Sequence, residues 1–197
     1  MEKGDIIKFG SYPWYSNGNI LPIEWLVLDI TENKALLISY FGIALKKYHY
    51  EFVNITWEDC DLRKWLNYDF INTAFSEDEA KKIKVSELKN EDNRKYRTKG
   101  GNSTRDRVFC LSIAEAEQYF DCDEDKQCRL TSYARNQSTY VNDSNNCCYW
   151  WLRSPGHIQN DAAYINSGGV LRLVGIPVIS AELAVRPAIW IDITSRK

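Results

Sequence analysis

The chain reads as one α+β domain, with short antiparallel strands at both ends and helices in the middle. Three observations point there. β-rich runs crowd the first forty residues, helix-start signatures follow, and short apolar runs with turn signals return from Cys147 onwards. Strands and helices kept in separate blocks, without alternation, argue against a parallel α/β sheet. A chain of 197 residues usually makes one domain and buries roughly 70% of its unfolded surface. No internal repeat or low-complexity linker breaks it, so the domain is expected to span 1–197.

GDIIKFG, PIEWLVLDI and KALLISY are the first strands, and ITENK is a short polar link suited to a hairpin between the last two. A helix is expected after Thr56. Asp59 stands three positions on, and Leu62, Trp65, Leu66 and Phe70 recur on one face. Ser76 with Glu79 and Ser112 with Glu115 mark two more helix starts, in FSEDEAKKI and SIAEAEQYF. The last block holds CCYWWLRS, DAAYINS, VLRLVG and AVRPAIWIDI as strands, and Gly168-Gly169 is a hairpin turn between the second and third.

An apolar fraction of 44% and a charged fraction of 26% exclude wholesale disorder. A formal net charge of −2 gives no overall pull towards nucleic acid or anionic membrane. The amino terminus carries charges where a signal peptide needs an apolar run, and no stretch approaches the roughly eighteen apolar residues of a membrane helix. The expected location is the cytoplasm. Glycosylation-like triplets at Asn54, Asn102, Asn136 and Asn142 then read as chance matches. Seven tryptophans and twelve tyrosines supply large amphipathic side chains suited to cores and contact surfaces alike.

Of six cysteines, Cys60 and Cys110 read as small buried hydrophobes. Cys122 and Cys128 flank an acidic loop and have the spacing for a small disulfide ring, but a reducing compartment favours free thiols throughout. No C-x-x-C spacing occurs and only His49 and His157 are present, so zinc is not expected. Asp121, Asp123 and Asp125 alternate like the start of a calcium loop, but Lys126 and Ser132 occupy the positions that need Gly and Glu. The segment from Lys89 to Arg107 carries seven basic residues against three acids, with Tyr96 among them. A solvated, mobile loop is the favoured reading over phosphate contact.

YWWLRSPG (Tyr149 to Gly156) and VRPAIWI (Val185 to Ile191), with IEWLVLD, RKWLN and the LS-x-x-E-A turn, resemble an uncharacterised bacterial domain family. Its signature is W-W-L-R-S-P-G followed later by G-V-R-P-A. That family is in turn distantly similar to the C-type-lectin-like fold of the formylglycine-generating enzymes and of variable proteins diversified by retroelements. Ala184 stands where the family usually has Gly, so a turn needing positive φ there would be strained.

Trp150 and Trp151 are adjacent, so on a strand they face opposite sides, one entering the core and the other lining the surface. Arg153 and Arg186 each follow an apolar run, and each is expected to pair with a buried carboxylate and tie loops to the sheet. Ser154, His157 and Asp161 make a triad only on paper, because no G-x-S-x-G elbow is present. The resemblance to formylglycine-generating enzymes would offer Cys147-Cys148 as a copper-binding pair. Vicinal cysteines do not readily close a relaxed ring, so that oxidase chemistry is the least favoured reading. No catalytic residue, cofactor or metal is expected.

What the resemblance implies is a ligand face between the Trp strand and the last strand. By position it holds Tyr149, Trp151, His157, Gln159, Asn160, Asp161, Tyr164, Asn166 and Arg172. Rigid aromatic area beside adaptable amides suits recognition of a protein or small ligand. The alternative is an assembly module whose aromatic face is buried between subunits.

Overall fold

In the computed structural model, which describes residues 1–137 and 145–194, the chain opens as an antiparallel meander of β1 (Ile6–Pro13), β2 (Ile20–Ile30) and β3 (Lys34–Ser39). Alternation along β2 sends Ile23, Trp25 and Val27 inward. An irregularity between Val27 and Asp29 lets Leu28 join them. The buried indole of Trp25 donates to Phe9 O at 2.7 Å, which satisfies its one polar group.

After β4 (Ala44–Leu45) comes α1 (Asp61–Trp65), a π-helical stretch over Leu66–Phe70, α2 (Ile71–Ala74) and α3 (Glu77–Lys82). The expected helix start at Thr56 is displaced. Thr56 O accepts from the backbone N–H groups of Asp59 and Cys60 in a turn, and the helix begins only after Cys60, whose Sγ accepts from Arg63 N. The reason is tertiary: Trp57 is drawn inward, where its Nε1 donates to buried Asp106 at 2.9 Å. The other two starts stand as reciprocal capping boxes, Ser76 with Glu79 and Ser112 with Glu115.

The middle continues with β5 (Ser86–Leu88), β6 (Thr104–Asp106), β7 (Val108–Phe109), α4 (Ile113–Tyr119), α5 (Asp123–Lys126) and α6 (Ser132–Arg135). The last block is β8 (Trp150–Pro155), β9 (Asp161–Ile165), β10 (Leu171–Pro177), β11 (Ala184–Val185) and β12 (Ala188–Asp192). The architecture is mixed α+β, mostly strands with few short helices.

Two five-stranded sheets result, ordered β1-β2-β3-β12-β7 and β10-β9-β8-β11-β4, with β5 and β6 as a separate pair. The run AVRPAIWIDI, expected as one strand, is therefore two strands in different sheets. Pro187 lacks an N–H and follows Arg186 at the crossing between them. Ala184 is extended in β11, paired with Leu45 and Trp150, so the expected strain is absent at this position. The Gly168-Gly169 turn joins β9 and β10 as expected. Gly169 takes φ +84°, and a side chain there would strike Asp123 O at 1.7 Å. No helix among the described residues is long and apolar enough to cross a membrane.

Candidate functional site

β8, β9 and β10 carry the segment expected to recognise a ligand. Trp151 pairs across to Tyr164, and Tyr164 pairs to Arg172, so these three side chains share one face of the sheet. Tyr149, two residues before Trp151, joins them. The rings of Tyr149 and Tyr164 stack at 5.5 Å with 20° between their planes, both half-buried, and Arg172 is exposed beside them. Tyr149 also lines a cleft of about 500 Å³ with Ile176, Ser180, Glu182, Leu183 and the two cysteines Cys147 and Cys148.

The expectation that one tryptophan of the pair lines the surface is corrected. Both are fully buried. Trp150 packs towards Phe120 and donates to Lys126 O at 2.9 Å, while Trp151 packs on Tyr48 and donates to Lys46 O at 2.8 Å. The residues after β4 fold over the second face of the sheet, and no local rule announces that cover.

The amides of the expected surface are also largely engaged. Gln159 Nε2 donates to Ile55 O and Lys99 O, fastening two loops together. Asn166 Oδ1 accepts from Gly168 N and Val170 N and so holds the β9–β10 turn. Asn160 is half-buried, and its carbonyl accepts from Val178 N. Asp161 is buried and meets exposed His157 at 2.9 Å (Oδ2 to Nδ1). Burial raises the Asp161 carboxyl above its ordinary range, and His157 opposes that rise. Ser154 is buried elsewhere, its Oγ accepting from Ile113 N at 3.0 Å, so Ser154, His157 and Asp161 do not assemble as a triad.

Cys148, not Cys122, stands beside Cys128: the Cys148 thiol and backbone N–H both donate to Cys128 O, at 3.2 and 2.8 Å. All six cysteines are free, with Cys122 exposed and the other five buried. The acidic segment forms α5 in place of a loop, with Lys126 Nζ 2.7 Å from Asp123 Oδ1. Among the described residues no group of His, Cys, Asp and Glu is arranged to hold a metal. Asn142 of the glycosylation-like triplets lies outside the described residues.

A family profile described as a domain of unknown function, DUF6273, matches residues 32–193. The chain belongs to this family. No curated protein and no solved structure gives a significant match. The DUF6273 span runs from just before β3 to the residue after β12, and so contains β8, β9 and β10 together with the tyrosine-lined cleft.

Two features of this DUF6273 domain escape a linear reading. The basic segment is largely an exposed connection between β5 and β6, as expected, but it is pinned by Asn93, which is fully buried. Asn93 Nδ2 donates to Pro155 O and Leu173 O at 2.8 Å each, and its Oδ1 accepts from Lys95 N and Tyr96 N. Three of the segment's seven basic side chains are paired at the surface: Lys99 with Asp92, Lys89 with Glu91 and Arg94 with Glu117. The two motif arginines also differ. Arg153 has a carboxylate partner in Glu115, as expected, but Arg186 packs against the edge-to-face rings of Trp150 and Phe120 and donates from Nε to Ser39 O.

Proposed function

We propose that this chain is a non-enzymatic binding domain of C-type-lectin-like fold that works in the cytoplasm and receives a protein or small ligand on the β8–β9–β10 face. One observation carries the reading: the stacked Tyr149–Tyr164 pair stands half-exposed beside Arg172 and at the edge of an apolar-walled cleft. Two rigid rings offer contact area at little entropic cost, and the adjoining guanidinium adds directional donors. The surface is narrower than the residue types suggest, because Trp151 and Asp161 are buried while Gln159 and Asn166 are taken up by loop and turn hydrogen bonds. Support for the fold comes from β12 lying between β3 and β7, which puts early and late strands in one sheet while a second sheet is built mostly from the segment before it. Free thiols suit a reducing compartment. If the domain is a retroelement-diversified variable protein, its gene has a reverse transcriptase beside it and a near-repeat of its 3′ end.

The test is an NMR titration of the labelled chain with a library of aromatic and amide fragments. Perturbed resonances are expected to cluster on Tyr149, Tyr164, Arg172 and Ile176, and Tyr164→Ala is expected to abolish them while the protein stays folded. Fragments that perturb only other regions, or that bind Tyr164→Ala unchanged, would overturn the reading.

A second reading, an assembly surface, has its own observation. Tyr50 and Phe52 are 60% and 55% exposed, and their segment is hydrogen-bonded to the two segments bearing exposed Ile179 and Ile158, through His49 N to Val178 O and Ile55 N to Gln159 O. Apolar side chains gathered this way mark subunit contacts. Sedimentation equilibrium of the wild type and Phe52→Asp decides it: a concentration-dependent oligomer lost in the variant supports assembly, and a monomer at all concentrations removes it.

A further inference from the structure

A second cleft, of about 610 Å³, has Cys147 in its wall in common with the first. It lies between β2, the end of β3, and the segment from Tyr119 to Arg129, and its volume is that of a small-molecule site. Arg186 forms part of its wall. That side chain is 2% exposed, and its Nη1 has no hydrogen-bond partner among the described residues. A buried guanidinium is stable when a carboxylate or comparable anion completes its donor set, and leaving a charged donor unmet is costly. Arg153, its counterpart in the other motif, has Glu115 for that purpose. Arg186 has two aromatic rings, one carbonyl and the nearby thiols of Cys128 and Cys148.

The rest of the wall has both signs of charge. Arg129 and Lys3 add two further cations, and Asp121, Glu124 and Asp125 add three carboxylates. Tyr40 and Tyr119 supply flat area between. A simple anion such as phosphate would be repelled by those carboxylates, whereas a simple amine would be repelled by the arginines. A molecule with both charges avoids each penalty.

We propose that this cleft binds a small zwitterion, a free amino acid or a short peptide, whose carboxylate completes the donor set of Arg186 and whose ammonium group faces Asp121, Glu124 and Asp125. Guanidinium and carboxylate match as a planar two-point pair, so the carboxylate end fixes orientation. The acidic segment then selects for the amine. This inference does not rest on the tyrosine face, and either can fail without the other.

The test is a thermal-shift and calorimetric panel on the full chain, using single amino acids, di- and tripeptides, the corresponding amino acid amides, simple amines, acetate and inorganic phosphate. At one hundred times Kd a zwitterion is expected to raise Tm by roughly 5–10 °C. Amides and amines lack the carboxylate, and acetate and phosphate lack the ammonium, so all four are expected to bind at least about tenfold more weakly. Whether single amino acids or peptides bind more tightly identifies the natural source. Asp121→Asn combined with Glu124→Gln changes only exposed residues. It is expected to keep the unliganded Tm while weakening zwitterion binding about tenfold or more. Arg186→Lys keeps the charge but loses the fork, and a folded variant is expected to lose the preference for acids over amides. Phosphate or acetate binding as tightly as amino acids, equal binding by the amides, or no change in the double variant would each overturn the proposal.

Discussion

Arg153 and Glu115 meet as a two-point pair that joins β8 to the first turn of α4. Both terminal nitrogens of Arg153 donate to the Glu115 carboxylate, Nη2 to Oε1 at 2.9 Å, and Nη1 also reaches Cys110 O at 3.0 Å. Glu115 at the same time accepts from Ser112 N at 2.8 Å to close the capping box. One carboxylate thus caps the start of a helix and anchors a sheet. Arg153→Ala leaves Glu115 and the Cys110 carbonyl short of donors in a mostly buried place. The expected loss is about 3 kcal/mol, at the lower end for a broken buried pair because Glu115 regains some water. Arg94→Ala, which removes an exposed pair with Glu117, is expected to change stability by less than about 1 kcal/mol. Urea denaturation of both variants checks the contrast, and similar losses would refute it.

Gly168 and Gly169 are neighbours with opposite tolerance. At Gly169 a methyl group meets Asp123 O and the backbone sits at φ +84°, whereas at Gly168 the nearest atom is Asn166 Oδ1 at 3.4 Å. Gly168→Ala is expected to be within about 0.5 kcal/mol of wild type, and Gly169→Ala to cost more than about 2 kcal/mol. Thermal melts of the two variants decide it.

Asn93→Ala removes the amide that ties the basic segment to β8 and β10. Buried acceptors at Pro155 and Leu173 then lose their donor, at a cost of about 1–3 kcal/mol. Hydrogen exchange is expected to accelerate from Asp92 to Gly100, with α3 and α4 unaffected. Unchanged exchange in that segment would show that other contacts hold it.

Asp192 accepts from Lys84 and from Thr194, and the Lys84 contact holds its carboxyl far below the ordinary range. A depressed folded-state pKa means stability that is present above the unfolded value and lost as pH falls through the folded one. Asp192→Asn is therefore expected to flatten the decline in stability below about pH 4. Melts across pH 2 to 7 provide the measurement, and a variant with the wild-type acid limb counts against the pairing.

Burial pushes the Cys60 thiol up to about 12 and raises Cys110 further, so both stay protonated and sheltered at neutral pH. Cys122 is exposed. Iodoacetamide is expected to modify Cys122 in the native protein, with Cys60 and Cys110 reacting only after unfolding. Peptide mapping checks the order.

The sequence by itself determined what depends on neighbours a few residues away. The capping boxes at Ser76 and Ser112, the opening meander and the Gly168-Gly169 turn are local, because a cap, a period of two or a positive φ is satisfied within one turn or hairpin. Only the tertiary structure decided which faces are covered and which charges are met. The cover over Trp151 comes from Lys46 and Tyr48, the anchor of Asn93 from Leu173, and the one carbonyl for Arg186 from Ser39, all far off along the chain. A side chain's type states what it needs. Whether a distant strand supplies it, as Glu115 does for Arg153, or leaves the need open, as at Arg186, is fixed only when the two sheets pack together.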